Sequence, residues 1–64
     1  MIQLNGKEYE AAGKNIESLL LELGYDFRTI AVELNEEIVP KATYSKVLLK
    51  DNDVLEVVSF VGGG

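Results

Sequence analysis

The sequence predicts an α+β domain in which one helix packs on one face of a β-sheet. Three observations carry that class. An Asn5-Gly6 step marks a hairpin, one apolar stripe at helical spacing follows it, and beyond Thr29 the pattern reverts to a period of two. Strands arranged around a single helix give this layering, because the helix must bury its stripe against something.

Ile2-Gln3-Leu4 alternates apolar and polar, and Lys7-Glu8-Tyr9-Glu10 returns as a shorter second strand. Ala11-Ala12-Gly13-Lys14 lacks periodicity and reads as a connection. Asn15 is a good N-cap for a helix whose Ile16, Leu19, Leu20 and Leu23 fall at i, i+3, i+4 and i+7. Glu17 complements the helix dipole in the first turn, and Gly24 suits the C′ position. Two turns of helix are unstable alone in water, so the stripe must pack on a sheet. After Tyr25 to Thr29, the residues Ile30, Val32 and Leu34 alternate with Ala31 and Glu33 as a half-buried strand would. Asn35-Glu36-Glu37 turns the chain, Ile38-Val39 pairs briefly, and Pro40 ends the pairing. Lys41 to Lys46 is a polar crossing with a helical turn, and Val47-Leu48-Leu49 reads as a short edge strand. Lys50-Asp51-Asn52-Asp53 is a tight turn. The last strand is expected over Val54 to Val61, with Leu55, Val57, Ser59 and Val61 on one face and Val54, Glu56, Val58 and Phe60 on the other.

Sixty-four residues give one domain, and a chain this short buries only about 60% of its unfolded surface. Hydrophobic residues make up 47% and charged residues 27%, the balance of a folded domain. There is no cysteine, which excludes disulfides, thiolate metal sites and cysteine nucleophiles, and no histidine, which removes the usual general base. Eleven acidic against six basic residues give a net charge of −5, so nucleic acid and anionic membrane are repelled and a basic protein face would be attracted. No basic segment followed by an apolar stretch opens the chain, and its longest apolar run is far too short to span a bilayer, so a cytoplasmic location is expected.

The informative feature is the end, Val61-Gly62-Gly63-Gly64. Three glycines at a chain end predict a mobile strip without side chains. Extended from Phe60, it would reach roughly 13–18 Å, far enough to carry the Gly64 carboxylate into a narrow channel of another protein. A carboxylate is a poor electrophile, but an acyl-adenylate carries a good leaving group that a sulfur nucleophile could displace. This chain has no phosphate loop, base or nucleophile for those steps, so partners would supply the chemistry. Beside the tail, Val58 and Phe60 are candidates for a docking patch if the helix covers the other face; the alternative is that Phe60 packs against the crossing around Tyr44. Glu36-Glu37 and Asp51/Asp53 read as solvated turn carboxylates rather than a metal or acid–base site, and Tyr9, Tyr25 and Tyr44 as half-buried packing residues.

Taken in order, Leu4-Asn5-Gly6, the Leu19/Leu20/Leu23 helix, Val32-Glu33-Leu34-Asn35, Ile38-Val39-Pro40, Asp51-Asn52-Asp53, Val54-Leu55-Glu56-Val57-Val58 and Phe60-Val61-Gly62-Gly63-Gly64 resemble the ThiS sulfur carriers of thiamine biosynthesis over essentially the whole chain. The resemblance implies a β-grasp, ubiquitin-like fold: a mixed sheet of four to five strands with one helix on one face, and the first and last strands as central neighbours. Residues 1–61 would be the carrier domain and 62–64 a flexible tail. It implies that a ThiF-type adenylyltransferase uses ATP to activate Gly64, and that sulfur supplied through a cysteine desulfurase makes a thiocarboxylate there. The thiazole synthase ThiG would then take that sulfur for the thiazole of thiamine. Val61, Gly62 and Gly63 would enter the partners' active sites, and no cofactor or metal would be bound by the chain itself. Asn52 stands where the family often has glycine, and Asn tolerates the same positive φ. The rival readings are the small subunit of molybdopterin synthase, a ubiquitin-like modifier, and a β-grasp interaction module with incidental glycines.

Overall fold

Asn5 and Gly6 both adopt left-handed backbone conformations, with φ of 51° and 83°. They are the two central residues of a tight hairpin that joins β1 (Ile2–Leu4) to β2 (Lys7–Tyr9), in the register Ile2↔Tyr9, Gln3↔Glu8 and Leu4↔Lys7. The same device recurs at Asn35 and Glu36, with φ of 50° and 71°, between β3 (Ile30–Leu34) and β4 (Glu37–Ile38). These coordinates come from a computed structural model that describes residues 1–60.

Helix α1 (Ile16–Glu22) begins as its cap residue dictates: Asn15 Oδ1 accepts from Ser18 N–H at 2.7 Å. It ends where Gly24 takes a φ of 83°. Ile16, Leu19 and Leu20 are buried. Leu23, the fourth member of the expected stripe, is instead 37% exposed, because the helix has already ended and Leu23 is its C-cap.

The sheet order is β2-β1-β5-β3-β4, with β1 and β5 parallel and all other neighbours antiparallel. Strand β5 (Val54–Ser59) is therefore central. Its Leu55 and Val57 join Ile2, Leu4, Ile30 and Val32 in the core beneath the helix. The parallel pairing rests on only two register pairs, Gln3↔Val54 and Leu4↔Leu55. The Asn5 side chain lengthens it: Val57 N–H donates to Asn5 Oδ1 at 2.8 Å, and Asn5 Nδ2 donates to Val57 C=O at 3.1 Å. On the other edge of β5, Asn35 Oδ1 accepts from Val54 N–H at 3.0 Å.

Three strand expectations need correction. Val47-Leu48-Leu49 is not a strand; Leu48 forms an isolated bridge to Asn15, and Leu49 exchanges backbone hydrogen bonds with Gly13 and Lys14. Its partner is the loop before the helix rather than a sheet edge. The last strand stops at Ser59 instead of reaching Val61, because its partner β3 begins at Ile30, opposite Ser59. The fourth strand is Glu37–Ile38, one residue earlier than Ile38-Val39, and Val39 turns into the core. The crossing does contain a helical turn, Lys41–Thr43, and Asn52 takes a φ of 73° in its own turn.

Tyr44 also departs from the half-buried reading, being 1% exposed, with its ring edge-on to Phe27 at 5.4 Å. Among the described residues its hydroxyl has no hydrogen-bond partner. A buried hydroxyl without one costs about 1–3 kcal/mol, so Tyr44→Phe should stabilise the domain by about 1 kcal/mol in urea unfolding; destabilisation would show that the hydroxyl is satisfied. Burial also raises the Tyr44 pKa above 10.0. The folded state then favours the neutral phenol, so this contribution is complete below about pH 10 and is lost as pH climbs through the raised value. The phenylalanine variant should lose less stability above pH 10 than the parent. Asn5→Gly keeps the turn conformation and removes both side-chain hydrogen bonds to β5. It should cost about 1–3 kcal/mol, and no measurable loss would mean that these bonds do not hold the parallel pair.

Candidate functional site

Strand β5 divides its side chains between two environments. Leu55 and Val57 face the helix, whereas Val54, Glu56 and Val58 lie on the open face, where Val58 is 57% exposed. The antiparallel register sets Ala31 beside Val58 and Glu33 beside Glu56, and β4 adds Ile38 beside Glu33. The open face therefore combines exposed apolar residues with two like charges directly opposite each other, an arrangement that weakens the free sheet. Phe60 follows the strand; its N–H donates to Thr29 C=O at 3.0 Å and its side chain is 59% exposed. Both docking candidates, Val58 and Phe60, thus stand in solvent on the face opposite the helix. The remaining candidates, Val61, Gly62, Gly63 and Gly64, lie outside the described residues, as does the proposed tail 62–64.

A basic side chain stands over Phe60. Lys41 places Nζ 5.4 Å from the centroid of the Phe60 ring, a cation–π distance. Asp26 caps the Phe27–Thr29 turn through Arg28 N–H at 3.0 Å and pairs with the Arg28 guanidinium at 3.0 Å. The hydrogen bonds from Arg28 hold the Asp26 carboxyl below its ordinary value, with a smaller contribution from the Lys41 charge. This pair is exposed, so it orders the turn more than it stabilises the fold. Lys41 carried no signal in the sequence beyond its place in a polar crossing, because its contact with Phe60 depends on which strands flank β3. The Glu33–Glu56 pairing was hidden for the same reason.

Of the carboxylate pairs, Asp51 and Asp53 bond within and around their turn, whereas Glu37 of the other pair opens strand β4 rather than lying in a turn. Asp51 pairs with the Met1 ammonium, while Asp53 accepts from Lys50 N–H at 2.8 Å and from Asn35 Nδ2 at 3.1 Å. Among the described residues no group of three or more acidic side chains is placed to hold a metal ion. An open groove of about 220 Å³ runs between β4 and the Lys41–Thr43 turn, lined by Leu34, Glu37, Ile38, Val39, Pro40, Thr43 and Val47. Thr43 Oγ1 in that lining already donates to Pro40 C=O at 2.7 Å. No described helix is long and apolar enough to cross a membrane.

A family model described as the ThiS family matches residues 2–64. The chain belongs to the ThiS family. It is 42% identical over 66 residues to the sulfur carrier protein ThiS of Bacillus subtilis, covering 100% of both chains. It is 52% identical over 62 residues to a thiazole synthase of Paramagnetospirillum magneticum, covering 95% of this chain and 19% of that protein. The chain thus spans about a fifth of the length of that relative. The crystal structure of the thiamine biosynthesis protein ThiS from Geobacter metallireducens matches with a TM-score of 0.79 at 30% identity, covering 98% of this chain and 97% of that one. The β-grasp expectation, with the first and last strands as central neighbours, agrees with the ThiS fold in the five-stranded mixed sheet and its single helix.

Proposed function

We infer that this ThiS-family chain is a sulfur carrier for thiamine biosynthesis, and that the carboxylate of Gly64 is the group that carries the sulfur. The observation that supports it most is positional: the central strand of the sheet leads through an exposed Phe60 into Val61-Gly62-Gly63-Gly64. The full-length likeness to a protein named as a sulfur carrier points the same way.

In this reading a ThiF-type adenylyltransferase binds the domain. A Gly64 carboxylate oxygen attacks the α-phosphorus of ATP, pyrophosphate leaves, and the acyl-adenylate forms. A persulfide, supplied through a cysteine desulfurase, then displaces AMP to give an acyl disulfide, and a thiol cleaves its S–S bond to leave the thiocarboxylate and a new disulfide. Thiazole synthase ThiG takes that sulfur for the thiazole ring. The ThiG partnership is supported by a relative in which a similar sequence makes up about a fifth of a thiazole synthase. The carrier itself contributes no chemistry: with neither histidine nor cysteine it lacks the side chains that would do general-base or thiol work near neutral pH. Its part is to present the tail, with Val61, Gly62 and Gly63 in the partner's channel and Val58 and Phe60 on the docking face.

Two variants test the reading. Deleting Gly64 should abolish chain-dependent ATP–pyrophosphate exchange by a ThiF-type enzyme while the melting midpoint stays unchanged; an undiminished exchange rate would refute the assignment. Phe60→Asp places a charge where the ring now meets solvent and should weaken enzyme binding about tenfold or more, again without unfolding the domain. Unchanged affinity would remove Phe60 from the docking surface.

A further inference from the structure

Two residues far apart in sequence meet just beyond the end of the central strand. Lys41 opens the Lys41–Thr43 turn, whose approach is fixed by Val39 N–H donating to Val32 C=O at 2.9 Å. Its own carbonyl accepts from Tyr44 N–H at 3.2 Å. Phe60 is fixed through Thr29 C=O at 3.0 Å. Strand β3 lies between β4, which leads to Lys41, and β5, which leads to Phe60. The lysine side chain therefore reaches across β3 to the ring, and Ala31, the smallest side chain of that strand, faces the same side at this end. Among the described residues the Lys41 ammonium makes no ion pair, and the Phe60 ring is its partner.

We propose that Lys41 is a positioning residue: its ammonium holds the Phe60 ring in one orientation on the open face before a partner docks there. An aromatic ring joined to the backbone by two torsions and mostly in solvent would otherwise sample several rotamers. Selecting one before encounter lowers the ordering cost of docking, which acts on binding rather than on the chemical step. The functional half of this inference rests on the carrier reading, whereas the contact itself does not.

The test has two arms. In the free domain, NMR should show the Lys41 ε-methylene protons shifted upfield by the ring and returned to ordinary values in Phe60→Leu; unshifted protons would overturn the contact. In activation assays with a ThiF-type enzyme, Lys41→Met should raise KM about two- to fivefold with kcat unchanged, which matches the roughly 0.5–1 kcal/mol of an exposed cation–π contact. Lys41→Arg should restore the parent value, and Lys41→Met should have no further effect in a Phe60→Leu background. No change in KM, or a full effect that persists without the ring, would overturn the positioning role. A parent chain that is not activated at all would refute the carrier reading and this role with it, while the NMR arm would still decide the contact.

Discussion

Everything in this domain depends on how β5 is held between β1 and β3. The parallel pairing with β1 joins residues about fifty positions apart and has no turn to enforce it. Closing so long a loop costs conformational entropy before any contact offsets it. Two asparagines supply the missing enforcement. Each sits in a left-handed turn conformation that its short amide tolerates, and each turns that amide toward an edge of β5, Asn5 at Val57 and Asn35 at Val54. The same residues that reverse the chain in the two hairpins therefore set the register of the strand between them.

Much of the fold was legible because its signals are local. Asn5-Gly6, the Asn15 cap and the alternation through Ile30–Leu34 and Val54–Ser59 each need only neighbours in sequence to be read. Val47–Leu49 misled because a short apolar run carries no period, and its partner turned out to be the loop before the helix. Tyr44 looked half-buried because its residue type usually is, and only packing against Phe27 places it fully inside. Of the site, alternation put Val58 and Phe60 on one face, and packing of the helix over Leu55 and Val57 leaves that face open. The Glu33–Glu56 opposition and the Lys41–Phe60 contact could not be read this way, because both are products of strand order and register.

In the proposed function, recognition of a partner falls to the open face. It keeps Ile38, at 76% exposure, together with Val58 and Phe60 in solvent, beside two glutamates that oppose one another across the sheet. Neither feature helps the isolated domain: exposed apolar area is not buried, and the like charges repel. A partner with an apolar face and a basic rim would relieve both, and the net charge of −5 would steer that partner from a distance.

The central claim is that Gly64 itself receives the sulfur. Intact-mass analysis of the chain after incubation with a ThiF-type enzyme, ATP and a sulfur donor addresses it directly. The account predicts a gain equal to the replacement of one oxygen by sulfur, located by fragmentation to the C-terminal glycine. No gain with demonstrably active partners, or a gain located on any other residue, would contradict it.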